Sequence, residues 1–210
     1  MRPALVVFFL LLALAPAAAA ITPARPQDAP LLRRGATPDE QLAQSVAARL
    51  TRLKPVVRCT AVPLGSGELG VTPFVNGRPA GYFLLDPQVC AELAAFRASP
   101  SSHDPASCTT NGCLNQVADT AQAIQTISHE SYHVLGWQSE AAAECYGLQS
   151  LWYTANRLGA SVALAQRLAQ FYWKELYPLR RTSSHPEYWS AECRDGGKLD
   201  LRPASHGWPS

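Results

Sequence analysis

Charge is scarce in this chain. Asp, Glu, Lys and Arg make up 16% of its 210 residues and nearly cancel, to a formal +2. Nothing in that balance predicts nucleic acid or an anionic membrane surface as a partner. No apolar run beyond the first 20 residues is long enough to cross a bilayer. Internal repeats are missing, and nothing marks a second domain. There is no C-x-x-C pair either, the usual spacing of thiolate zinc ligands. What remains is one compact domain whose six cysteines have another use.

Met1 to Ala20 reads as an export signal: Arg2 supplies the charge, Ala4 to Leu14 the apolar core, and Ala17 to Ala20 the small residues of a cleavage site. Cleavage after Ala20 removes Arg2 and lowers the formal charge from +2 to +1. The expected product is a secreted protein with no stable membrane association; its oligomeric state has no signature here. An oxidising compartment suits six cysteines paired as three disulfides. Among the fifteen possible pairings, Cys108 with Cys113 is favoured by the turn-rich residues around it. Cys145 with Cys193 would tie the C-terminal tail to a helix, which leaves Cys59 with Cys90.

Residues 21–36, rich in proline and arginine, read as a disordered leader or short propeptide. A single domain over 37–210 follows. Thr37-Pro38-Asp39-Glu40 starts a helix that Pro55 closes, and Asp86-Pro87 starts another through about Phe96. Phe74 to Gly77 and Gly81 to Leu85 look like two strands around a loop, a small hairpin or an edge pair. Ser161 caps a long apolar helix to about Tyr177, and Pro178 to Ser210 reads as a lid or strap.

Gly and Pro are also absent from Asn115 to Leu135, and there Val117, Ala121, Ile124 and Ile127 recur at helical spacing. This helix contains His129-Glu130-Ser131-Tyr132-His133, an H-E-x-x-H pattern that a shuffled chain of this composition would hold about 0.005 times. Residues four apart share a helical face, so both imidazoles can meet one metal ion, with zinc the expected one. Glu130 points partly off that face. A carboxylate there can take a proton from water that the metal activates, the general-base role.

Thr126 to Leu135 resembles the extended zincin signature, with Thr three residues before the first His, uncharged Ser131 and Tyr132 in the gap, and apolar Val134 and Leu135 after it. Beyond Gly136, Ser139 is a plausible N-cap, and Glu140-Ala141-Ala142-Ala143-Glu144 is similar to the gluzincin pattern of a Glu, two residues, a small residue and an acid. The resemblance implies a zinc metallopeptidase acting on a peptide or protein substrate. It gives Glu140 as third ligand, and Glu144 as acceptor of the other ring N–H of a histidine ligand, His129. The spacing departs from the larger gluzincins: only six residues separate His133 from Glu140. His133-x-x-Gly136 is similar to the metzincin turn, but Ser139 stands where that group has a third His. Glu144 therefore stays open as the ligand, and both acids also suit the positive end of a helix dipole. Zincins bind substrate backbone along an edge strand, for which Tyr82 to Leu85 is the candidate, and use a Tyr or His donor opposite the attacking water. His185, Tyr188, Tyr153 and His206 are possible donors, none with a motif behind it.

The expected fold class is α+β and predominantly α: a zincin-like helix pair with a small β element, stapled by disulfides. The expected function is that of a secreted zinc metallopeptidase. The rival is a secreted, disulfide-stapled binding protein whose zinc site is structural or vestigial.

Overall fold

The computed structural model describes residues 24–205 and 207–209, so the export-signal segment lies outside the described residues. The chain is α+β and mostly helical, and three disulfides join Cys59 to Cys90, Cys108 to Cys113, and Cys145 to Cys193. No described helix is long and apolar enough to cross a membrane.

The residues read as a disordered leader are helical from Pro26 to Arg33, where a 3-10 turn runs into a short helix α1 (Ala29–Arg33). Composition missed what holds them. The buried Asp28 carboxylate accepts from Arg25 at 2.7 Å and from the Tyr82 hydroxyl, while Leu31 and Leu32 pack on Tyr82 and Leu84. Helix α2 (Pro38–Thr51) follows with a full capping box, Thr37 receiving the Glu40 N–H and the Glu40 carboxylate the Thr37 N–H.

A three-stranded sheet has the order β1 (Val56–Cys59), β5 (Tyr82–Leu85), β2 (Gly70–Val71). Strand β5 runs parallel to β1 with Val56 opposite Tyr82, and antiparallel to β2 with Gly70 opposite Leu85. All four β5 side chains are buried, as befits a central strand. The strand expected to offer its edge to a substrate is therefore paired on both sides; β2 takes the flanking position. The expected hairpin is also different. Phe74–Val75 (β3) pairs with Arg78–Pro79 (β4) around Asn76-Gly77, both at positive φ (53° and 74°), the conformation a two-residue hairpin turn demands.

Helix α3 (Pro87–Ala98), capped by Asp86, leads through two 3-10 turns to α4 (Asn111–Val134). Helix α4 begins before Asn115 because Thr110 caps it, accepting from the Cys113 N–H. Val117, Ala121, Ile124 and Ile127 are all fully buried, the face their spacing predicts. Helix α5 (Glu140–Arg157) packs along α4, and Gly147 makes the close approach possible. A Cβ there would stand 2.8 Å from Gln125 Nε2 and 2.9 Å from the His129 amide nitrogen. The last long helix is interrupted: α6 (Val162–Phe171) passes through a π turn (Tyr172–Leu176) into α7 (Tyr177–Arg180). The tail is strapped onto α5 by Cys193 and by Gln149, whose amide takes the Leu201 N–H at 2.7 Å and donates to the Leu199 carbonyl at 2.8 Å.

Glu40 joins leader, helix and sheet. Its buried carboxylate accepts from Arg34, from the Thr37 N–H at 2.7 Å and from the Cys59 N–H at 2.7 Å. Burial alone would raise its pKa, but the Arg34 guanidinium and the two N–H donors outweigh that and hold it at about 2. Because the folded pKa lies below the unfolded value, this stabilisation is complete above about pH 4.5 and lost as pH falls toward 2. The shift corresponds to about 3 kcal/mol. Glu40→Gln should therefore lower the urea midpoint at pH 7, and the gap from the parent should narrow between pH 4.5 and 2.

Candidate metal centre

The last turn of α4 sets His129 above His133. The helix stops at Gly136 (φ 99°), whose N–H returns to the His133 carbonyl at 2.8 Å. Ser139 then caps α5 by accepting from the Ala142 N–H, so Glu140 opens the new helix facing back toward the old one. Three atoms converge. His129 Nε2 lies 2.9 Å from His133 Nε2, and Glu140 Oε2 lies 3.1 Å and 3.2 Å from those two nitrogens. Among the described residues this is the one group of three such side chains that close together.

Partner chemistry assigns the tautomers. His133 Nδ1 is 2.5 Å from the Trp137 carbonyl, and His129 Nδ1 is 3.2 Å from Glu144 Oε2. Both partners only accept, so each Nδ1 carries the hydrogen and each Nε2 of a neutral ring presents a lone pair. Two lone pairs and a carboxylate oxygen facing one another repel unless a cation sits among them. The donor set suits zinc: ligand atoms about 2.0–2.1 Å from a tetrahedral ion lie about 3.3 Å apart, close to the observed spacing. Three carboxylates, Glu130, Glu140 and Glu144, stand around the histidines, and Arg180 pairs with Glu144 at 3.2 Å.

Glu144 lies outside this three-atom convergence. Its Oε2 meets His129 Nδ1 and Gln125 Nε2, and its Oε1 accepts from Tyr172 at 2.5 Å and from Arg180 at 3.2 Å. Burial works to raise its pKa, but the bond to His129 and the Arg180 charge hold it at about 2, so it remains a carboxylate. Burial pushes the Tyr172 hydroxyl strongly upward, with the Glu144 charge adding to it, and keeps that hydroxyl a donor. For His129, burial lowers the pKa, yet the bonds to Glu140 and Glu144 raise it to about 10. Without a metal, a proton takes the cation's place between these carboxylates.

Glu130 is 3% exposed and lies off the ligand face, its Oε2 2.7 Å from the Thr72 hydroxyl. It lines a cleft of about 330 Å³ together with Gly70, Phe74, His133, Glu140 and Tyr188. A smaller cavity of about 80 Å³ adjoins it, with Gln122, Thr126, Arg180 and His185 in its wall. Of the four possible hydroxyl or imidazole donors, Tyr188 stacks on His129 with ring centres 5.4 Å apart and His185 lies beside it. Burial, then the Glu140 and Glu130 charges, raise the Tyr188 pKa and keep it protonated. Tyr153 is not in either wall, and His206 lies outside the described residues.

Sequence reasoning brought His129, Glu130, His133, Glu140 and Glu144 to one site. It missed Thr72, Gln125, Tyr172, Arg180 and the Trp137 carbonyl. Of these, only Gln125, one turn before His129, had a positional signal; Thr72, Tyr172 and Arg180 arrive from distant segments. No family model, curated protein or solved structure matches the chain. The site is therefore interpreted from its own chemistry.

The geometry ranks the two acids. After dialysis against metal-free buffer, elemental analysis of the oxidised mature protein should find about one zinc per chain. His133→Ala and Glu140→Ala should lose it, while Glu144→Ala should weaken zinc affinity by about 10–100-fold, as expected for a residue that orients a ligand. Greater loss in Glu144→Ala than in Glu140→Ala would reverse the assignment.

Proposed function

We propose that the chain is a secreted zinc-dependent metallopeptidase of the zincin type, gluzincin-like in its third ligand. The observation that carries this reading is the convergence of His129 Nε2, His133 Nε2 and Glu140 Oε2 beside a carboxylate, Glu130, that is not among them. A zinc ion held by those three atoms supplies a Lewis acid that polarises a carbonyl and lowers the pKa of water toward about 7. Glu130 accepts the proton from the attacking water and returns it to the leaving amine, so that nitrogen departs as a neutral group. Glu144, tied to Tyr172, Gln125 and Arg180, keeps the His129 ring oriented. The Tyr188 hydroxyl, protonated and in the cleft, donates to the oxyanion that forms on the substrate carbonyl.

The open side of the site favours catalysis over a purely structural role. Structural zinc sites are closed by four protein ligands, whereas among the described residues three converge here, Glu140 keeps 34% of its side chain exposed, and a cleft opens over the cluster. An extended peptide is the ligand that suits this cleft, with strand β2 replacing β5 as the backbone that flanks it. Export is supported by the apolar N-terminal stretch of the sequence and by the three disulfides.

Glu130→Gln keeps the size of the side chain and removes the base. This variant should fold, hold zinc as the parent does, and lose about 10²-fold or more of its turnover of a quenched fluorescent peptide pool. Equal turnover in variant and parent would remove the mechanism.

A further inference from the structure

We propose that Thr72 is a positioning residue for Glu130, and that the segment Gly70-Val71-Thr72 forms a wall against which the general base is set. The inference rests on the peptidase reading, because it concerns the group that reading makes the base.

A glutamate carries its carboxylate on two methylenes and samples several rotamers when nothing holds it. A general base has to occupy one of them, within hydrogen-bond reach of the water it deprotonates. On α4 the neighbours of Glu130 include Thr126 and the two histidines that would hold the metal, and the Thr126 hydroxyl bonds to the Gln122 carbonyl instead. What holds Glu130 comes instead from a segment 58 residues earlier in the chain.

Two independent contacts do this. The Thr72 hydroxyl lies 2.7 Å from Glu130 Oε2 and 3.2 Å from the Glu130 carbonyl oxygen. It has one hydrogen to give, and the shorter contact, to Oε2, takes it. Thr72 is 7% exposed and Glu130 3%, so water does not replace either partner. The second contact is steric. Gly70 passes so close that a Cβ there would stand 2.8 Å from both Cγ and Oε1 of Glu130, and 2.7 Å from Thr126 Cγ2. The strand backbone thus closes one side of the carboxylate while the hydroxyl holds Oε2. Oε1 lies on the Gly70 side, where the wall has no side chain. Thr72 is neutral, so it orients the base without adding a charge beside it.

The experiment uses the full mature protein with Thr72→Val, which keeps the branched shape and removes the hydroxyl, and Thr72→Ser, which keeps the hydroxyl. Thr72→Val should lower kcat about tenfold or more, leave KM within about twofold, and bind zinc as the parent does. Thr72→Ser should recover kcat to within about threefold of the parent. A residue that only filled space would give the opposite order, with Val the milder change. A readout that needs no turnover accompanies this: the thermal midpoint shift caused by Thr72→Val, measured in the parent and again in a Glu130→Ala background. The shift should be smaller in the second background, and equal shifts would overturn the contact. Parent turnover that Thr72→Val retains at full kcat would overturn the positioning role and leave the peptidase reading standing. Absence of turnover in the parent would reject the peptidase reading, and the thermal cycle alone would then decide whether Thr72 holds Glu130.

Discussion

Two imidazole lone pairs and a carboxylate oxygen cannot be pressed to within about 3 Å of one another in a buried site without positive charge between them. Much of the molecule is arranged to impose that arrangement. The reversal at Gly136 aims Glu140 back at the end of α4. Gly147 lets α5 lie against α4 just beneath His129. The Nδ1 hydrogens of both histidines go to fixed acceptors, so both Nε2 atoms face Glu140, where a proton or a metal ion would stand between them.

A second charge problem sits one layer out, at Glu144. A carboxylate 2% exposed requires partners on both oxygens, and four side chains supply them. Two of these come from the far end of the chain, where a π turn carries Tyr172 and Arg180 to the same oxygen. Such turns widen a helix by one residue and change which face it presents, and they often occur at functional sites. Here the turn explains why the apolar helix expected to run unbroken to Tyr177 does not. Arg180 also makes a contact to the Tyr188 ring, which stacks on His129, so the same guanidinium borders the cleft and supports the ring packed on that imidazole.

The disulfides and the sheet act on opposite sides of this centre. Cys145 adjoins Glu144, and its bond to Cys193 fastens the tail that carries Tyr188. The sheet, anchored through Cys59 and Cys90, brings Gly70 and Thr72 against Glu130. One helix pair thus receives its outer groups from two long-range attachments.

What the sequence by itself determined is local. Helical spacing, the Thr37, Asp86, Ser139 and Ser161 caps, the stop at Gly136, and the face shared by His129 and His133 all follow from interactions spanning a few residues. The Cys108–Cys113 pair was legible from the turn-rich stretch between its members, whereas Cys59–Cys90 and Cys145–Cys193, though they match the expected pairs, join segments that no local signal brings together. Tertiary structure decided everything that depends on segments meeting. It made β5 the central strand rather than an edge, because β2 pairs with it antiparallel after a loop whose path no local signal sets. It ordered the leader through Asp28 and Glu40, whose partners lie 54 and 19 residues away. It also chose between Glu140 and Glu144, four residues apart on one helix. They lie one turn apart on α5, and only the position of that helix against α4 decides which carboxylate reaches the Nε2 pair and which reaches Nδ1.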